Sequence, residues 1–295
     1  MALRRTTKSK LYRYTVYAVL IAVALWLIIS TDWARIAALY FNPEIAAKML
    51  PGIITTALVN TLWFTAVAFI GGLLLGILLA LMKLSSIGPF RWIATAWIEL
   101  FRGLPAILTI LLIGQGFARF SQQLFGPSPY PLGILALSLI ASAYIGEIFR
   151  AGIQSVDRGQ LEACRALGMS YGSAMRLVVV PQGVRRVLPA LVNQFIAIVK
   201  DSSLVYFLGL LVSERELFRV GQDAAVLTGN LSPLVMAGLF YLVITVPLTH
   251  LVNFFDNRFR TGRRKATPPK SGLDEVEETT AQGQAPSPLT LGSNT

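Results

Sequence analysis

The sequence predicts an all-α integral membrane protein: five core transmembrane helices and one further N-terminal helix, six in total, with both termini cytoplasmic. Three observations carry this expectation. First, 54% of the 295 residues are hydrophobic and 14% charged, with a mean hydropathy of +0.62, whereas a water-facing domain carries roughly 25% charged residues. Second, the apolar residues gather into six runs, near residues 14–30, 53–81, 92–118, 131–149, 188–211 and 233–255. Each is close to or above the ~20 residues that cross a ~30 Å hydrocarbon core at 1.5 Å per residue. Third, the positive charges sort to alternate segments. Nineteen of the 26 Lys and Arg lie at the N-terminus, after the second and fourth runs and after the sixth, against five (Arg35, Lys48, Arg119, Arg215 and Arg219) in the loops between. A soluble enzyme is thereby excluded, and a net charge of +11 sorted to one side of a membrane is no sign of a nucleic-acid partner.

Taken in order, the first run follows Arg4, Arg5, Lys8, Lys10 and Arg13, and no A-x-A cleavage pattern comes after it. It is expected to stay as an anchoring helix rather than be removed as a signal peptide. Residues 1–50 thus hold a basic N-terminus, this helix and an outside loop. The second run contains Gly72-x-x-x-Gly76, a spacing that permits close helix contact and is read as packing within the chain. The third run is interrupted at Gly103-Leu104-Pro105, where a broken helix frees backbone groups that can line a polar cavity. The fifth run places Lys200-Asp201 ~18 Å beyond Leu188, past the membrane midplane. The core therefore covers 51–257. Residues 258–295 are rich in Thr, Pro, Ser, Gly, Gln and Glu, and form an expected disordered cytoplasmic tail.

Five charged residues, Glu99, Arg102, Glu147, Lys200 and Asp201, fall in or beside apolar runs. Each costs ~2.5–3.5 kcal/mol at a bilayer centre, so they should face the bundle interior, pair, or sit at an interface. With Gly103, Pro105 and Ser202 they are the candidates for a polar substrate path. A structural alternative is pairing at i, i+3, Glu99 with Arg102 and Glu147 with Arg150. Cys164 is the only cysteine, so neither an intrachain disulfide nor a cysteine metal cluster can form. His250 has no partner at ligand spacing, and no metal site is expected. No phosphate-cradling G-x-x-x-x-G-K-S/T string occurs, so this chain is not expected to be an ATPase itself.

The informative segment lies between the fourth and fifth runs, at about 150–187. Within it, 160-QLEACRALGMSYGSAMRLVVVPQGVRRVLP-189 reads as a short helix, a glycine break and a second amphipathic piece. Gly168 suits a helix C-terminus because it enters the left-handed region without steric cost. Ala163, Cys164 and Ala166 let another backbone approach, while Glu162 and Arg165 offer charged anchors. Composition leaves two readings open: docking into a groove of a separate protein, or an amphipathic hairpin on anionic headgroups.

Spacing separates them. Glu162-Ala163-Cys164, three residues, Gly168, nine residues and then Val178-Val179-Val180-Pro181 resemble the E-A-A, G, I-x-L-P coupling loop of importer-type ABC-transporter permease subunits. The departures are Cys164 for the third alanine and valines for the isoleucine and leucine. Three further strings, 97-WIELFRGLPAIL-108, 142-SAYIGEIFRAGIQSVDRGQ-160 and 199-VKDSSL-204, narrow the resemblance to the polar amino-acid permease family of histidine/glutamine/arginine/glutamate type, over 53–255.

The resemblance implies a type I ABC importer permease-like bundle in the plasma membrane, spanning it several times. It also implies a subunit with no catalytic residues and no bound cofactor of its own, and partners: a cytoplasmic ABC ATPase dimer that holds ATP and Mg, a second permease subunit, identical or related, and an extracytoplasmic amino-acid-binding protein. The cargo would be a polar amino acid, glutamate or aspartate among others. Carried over residue by residue, Glu162, Ala163, Cys164, Arg165, Ala166, Leu167 and Gly168 form the coupling helix, Glu162 pairs with the ATPase, and Pro181 closes the motif. The alternatives are an ion-coupled secondary amino-acid transporter, which would usually show inverted repeats, and a membrane scaffold for a cytoplasmic enzyme.

Overall fold

A computed structural model describes residues 5–260. The chain divides into residues 1–252, which carry the bundle, and residues 253–295, of which the described part is the end of the last helix. The tail expected to be disordered lies, from residue 261 onward, outside the described residues.

The N-terminal helix α1 (Arg5–Ser30) is apolar from Tyr12 to Ser30 and exposed along that stretch. Where the sequence suggested an outside loop, two more helices follow, α2 (Trp33–Tyr40) and α3 (Pro43–Gly52). Their starts are encoded locally. Asp32 Oδ1 accepts the Arg35 N–H at 3.0 Å, and Asn42 Oδ1 accepts those of Glu44 and Ile45, with Pro43 at the first helical turn. Nor does Pro51-Gly52 start the second span. Helix α3 runs through a π-helical turn, Ile53–Ala57, into α4 (Leu58–Leu84). The wider turn directly after the proline, with Thr55 Oγ donating to Pro51 O at 2.7 Å, lets the helix continue.

The third run is not one straight span. It forms α5 (Gly88–Gly103) and α6 (Ala106–Gly116), bent by 105° at the break. Leu104 is extended, with φ −87° and ψ 141°, as a residue before proline must be, and the next helix restarts from the Pro105 carbonyl. After α7 (Ala118–Phe125) comes α8 (Tyr130–Gln154), the central helix, which packs against α4, α5, α6 and α11. Its closest neighbour is α4. A Cβ built on Gly72 would lie 2.6 Å from Ala141 Cβ, and one on Gly76 2.8 Å from Ile145 Cγ2, so the small-residue spacing serves packing within the chain. Phe64, Ile110, Leu137, Ile145 and Ile198 fill the core around this contact.

Beyond α8 come α9 (Arg158–Ala166), α10 (Tyr171–Ala174), a second π-helical turn at Met175–Val179, and α11 (Val180–Asp201). The fifth helix therefore ends at Asp201, well before residue 211. Ser202 Oγ and Ser203 Oγ turn back to the carbonyls of Val199 and Lys200, both at 2.7 Å, and compete with helix continuation. A 3₁₀ turn, Ser202–Leu208, stops at Gly209 with φ +75°, and α12 (Leu217–Thr228) and α13 (Ser232–Arg260) complete the described chain. Among the described residues five helices are long and apolar enough to cross a membrane, or up to six if the bent pair is one span.

Candidate coupling site and transport path

Helix α9 is defined at both ends by local hydrogen bonds. Asp157 Oδ1 accepts the Gly159 N–H at 2.8 Å at the start. At the other end the Met169 N–H reaches Cys164 O at 3.1 Å and the Gly168 N–H reaches Arg165 O at 3.0 Å, with Gly168 at φ +82°. These two bonds around a left-handed glycine are the Schellman arrangement, and they satisfy carbonyls that a helix end leaves open. Arg165 Nη1 adds a bond to Met169 O at 2.8 Å.

The helix has two faces. Cys164 is buried, and Leu161 packs on the cluster of Ile153, Val156 and Val179. Glu162, Ala163, Arg165, Ala166 and Gly168 are exposed, and Leu167 is 83% exposed. Among the described residues Glu162 forms no ion pair. Small residues, one free carboxylate and one uncovered apolar side chain make a surface suited to a protein groove. The base on which it rests is tied down: Arg186 Nη1 donates to Ser155 O, at the junction of α8 and α9, and Gln182 Nε2 to Gln160 Oε1 at 3.4 Å. Pro181 is exposed in the first turn of α11, where its missing N–H costs nothing.

The charged candidates separate into three places. Glu147, grouped from sequence with the path, is held by cations on both oxygens: Lys83 Nζ at 3.1 Å, Arg150 Nε at 2.9 Å and Arg150 Nη2. It bridges α4 to α8 near the α9 end, which fits the anchoring alternative. Glu99 and Arg102 do not pair. Arg102 lies over the Tyr144 ring at 5.5 Å, Glu99 is exposed, and Gly103 and Pro105 are exposed at the bend. Lys200 is exposed, Asp201 half-buried and Ser202 buried where α11 ends. No hydrogen bond or ion pair among the described residues joins the bend to this second group.

Residues 72–261 match the family model described as the binding-protein-dependent transport system inner membrane component. The chain belongs to that family. The permease is thus a multi-pass plasma-membrane protein, and its kinship is with ABC importers rather than ion-coupled secondary transporters. It is 36% identical over 209 residues to the arginine transport system permease protein ArtQ of Bacillus subtilis, covering 70% of this chain and 93% of that one. Identity is also 36% over 207 residues to the glutamate/aspartate import permease protein GltK of Escherichia coli O157:H7, covering 68% and 91%. The crystal structure of an amino acid ABC transporter with histidines superposes with a TM-score of 0.65 at 38% identity, covering 72% of the permease and 96% of that chain. A chain of the methionine transporter MetNI, at 21% identity and TM-score 0.56, shares the fold.

At the far end of α8 the permease holds a second polar cluster that the pattern of apolar runs does not reveal. Glu216, 2% exposed, caps α12 by accepting the N–H groups of Phe218 at 2.5 Å and Arg219 at 2.7 Å, and it also accepts the Tyr241 O–H at 3.0 Å. The Leu217 N–H donates to Thr61 Oγ1 at 3.0 Å, so one turn joins α4, α12 and α13. Asp223 pairs with Arg215 and Arg219, and Arg219 lies 4.6 Å over the Tyr206 ring. The signal that could have found this cluster is an acidic residue directly before an amphipathic helix, which marks a cap.

Burial pushes the Glu216 carboxyl up from 4.5 to about 7, against the opposing pull of its donors. The folded state therefore binds more protons than the unfolded one between these values, so stability from this cap is highest at low pH and falls as pH rises through the window. Heat stability of the purified permease should drop between pH 4.5 and about 7, and Glu216→Gln should flatten the profile. An unchanged profile in the variant would show that Glu216 does not set it.

Proposed function

We propose that the permease is the path-forming subunit of an ATP-binding-cassette importer for a polar amino acid, driven through α9 by a separate ATPase. The exposed face of α9 carries this reading, together with relatives whose own names specify arginine or glutamate/aspartate transport. In this reading the α9 face, led by Glu162, docks on a cytoplasmic ATPase dimer that holds ATP and Mg, and this chain hydrolyses nothing. The distribution of Lys and Arg supports cytoplasmic termini and a cytoplasmic α9. A second permease, identical or related, completes the path, and an extracytoplasmic amino-acid-binding protein delivers the cargo.

Mechanically, α9 sits three residues beyond α8, and α8 is the helix around which α4, α5, α6 and α11 pack. Closure of the ATPase dimer would draw two α9 helices together, and the Lys83–Glu147–Arg150 bridge would carry the displacement into α4. Glu99, Arg102, Gly103, Pro105, Lys200, Asp201 and Ser202, at the bend and at the end of α11, are proposed for the path. Coupling must be reciprocal, so substrate delivery on one side alters the ATPase on the other.

Mass spectrometry of what stays with the tagged chain in mild detergent tests the assembly. A Walker-type ATPase, together with uptake that requires ATP, is the expected result. Recovery of this chain alone, with uptake surviving reconstitution without ATP, would overturn it in favour of a secondary transporter.

A further inference from the structure

Among the apolar spans of the described residues, α1 stands apart: no residue of its stretch Tyr12–Ser30 is buried, whereas each of the others buries part of its length. In this chain α1 therefore meets lipid rather than protein on every face. It contains no Asp or Glu, while Arg5, Lys8, Lys10 and Arg13 lie at its start. At the border between this charged start and the apolar stretch, a cavity of about 140 Å³ is lined by four side chains, Lys10, Arg13, Tyr14 and Tyr17.

The spacing accounts for the hollow. Positions i, i+3, i+4 and i+7 share one helix face, so the four side chains surround one space instead of spreading over the surface. Seven residues cover ~10 Å of helix axis, which carries this face from the headgroup layer to the first acyl carbons. All four side chains are exposed, and neither cation forms an ion pair among the described residues. The face thus offers an ammonium, a guanidinium fork and two phenol O–H donors, with two rings on the membrane side. That is the complement of a phosphodiester with acyl chains below it, since the fork matches two phosphate oxygens and the rings match glycerol and hydrocarbon. Two cations with no carboxylate on the same helix also favour a headgroup of net negative charge over a zwitterionic one, whose own cation would face Lys10 and Arg13.

We infer that this face of α1 is a binding site for an anionic phospholipid. Lys10, Arg13 and the phenol O–H groups of Tyr14 and Tyr17 hold the phosphate, and the glycerol and upper acyl chains lie along the two rings. The site precedes residues 72–261, which match the family model, and so belongs to a helix that this chain adds ahead of them. Its placement in the cytoplasmic leaflet rests on the cytoplasmic N-terminus of the reading above; the site itself needs only that α1 crosses the membrane.

The test is native mass spectrometry of the purified full-length permease in detergent, titrated with phosphatidylglycerol or with phosphatidylcholine of the same acyl chains. Phosphatidylglycerol should bind about tenfold more tightly. Lys10→Gln together with Arg13→Gln should weaken its binding about thirtyfold, or ~2 kcal/mol, the scale of two cations at an anionic lipid surface. Arg91→Gln together with Arg185→Gln, which removes two exposed cations from other basic segments, should change it less than about twofold. Because the first pair also removes charges that orient α1, Tyr14→Phe together with Tyr17→Phe gives a second reading at constant charge: loss of the two O–H donors should weaken binding about tenfold. Equal affinity for the two lipids, an equal loss in the Arg91 and Arg185 variant, or unaltered binding in the Tyr14 and Tyr17 variant would each overturn the inference. Loss of a bound acidic protein from the Lys10 and Arg13 variant, with lipid binding intact, would overturn it in favour of a protein contact. None of these readouts involves ATP or uptake, so failure of the lipid site leaves the importer reading standing.

Discussion

Replacing Gly168 with valine should cut uptake to below about a tenth of normal while the permease remains inserted and folded. Gly168 has φ +82°, where a β-branched residue meets its own backbone and costs at least ~1–2 kcal/mol. No neighbouring atom lies within 4 Å of where its Cβ would be, so the penalty is one of backbone conformation rather than crowding. The chain escapes by unwinding the bonds from Met169 to Cys164 and from Gly168 to Arg165, which define the end of α9. Loss of that end moves Leu167 and Arg165 on the exposed face, and the body of the bundle is untouched. Gly168→Asn, which tolerates the left-handed region better, should retain more uptake than valine. Uptake by Gly168→Val at the normal rate would show that this helix end plays no part in coupling. Glu162→Ala is the companion measurement: with no ion pair to lose among the described residues, it should leave heat stability alone and lower uptake.

The largest effect on stability is expected from Gly72→Ala. The added Cβ would lie 2.6 Å from Ala141 Cβ, with backbone atoms of Ser138 and Ser142 at 3.2 and 3.3 Å. Backbone cannot yield as a flexible side chain does, so α4 and α8 must separate along their whole contact. Overpacking of this kind costs ~1–3 kcal/mol, and Gly72→Val should exceed that range. The measurement is the fraction of monodisperse protein left after heating in detergent. Because the shortest contact is to a single methyl, Ala141→Gly should restore part of the loss when combined with Gly72→Ala, and by more than the two single effects predict. Strict additivity would mean that the two positions are not in contact.

Much of the candidate coupling site is legible in the amino-acid sequence. Asp157, Glu162 and Gly168 encode α9 because a cap, a helix-forming run and a left-handed stop are local properties, set by residues within a few positions of one another. The Glu147–Arg150 pair is legible for the same reason, being i, i+3 on one helix. Its third member, Lys83, is not, since it comes from another helix 64 positions away. Glu99 and Arg102 show the reverse case, in which a permitted local pair yields to a ring of Tyr144 that only packing brings near.

Sequence alone determined the membrane as solvent, the all-helical architecture, the short helix α9 with its glycine stop, and the break at Pro105. Hydropathy, capping chemistry and the geometry of a residue before proline act over one or two turns, and they need no tertiary partner. Only the tertiary structure decided the 105° sense of that break, the passage of a helix across Pro51, the closeness of Gly72 to Ala141, and the burial of Glu216 beneath Tyr241. Each depends on which surfaces meet. A charge or hydroxyl reads the same in a string of letters whether another helix covers it or water does, and the free energy of the two situations differs by several kcal/mol.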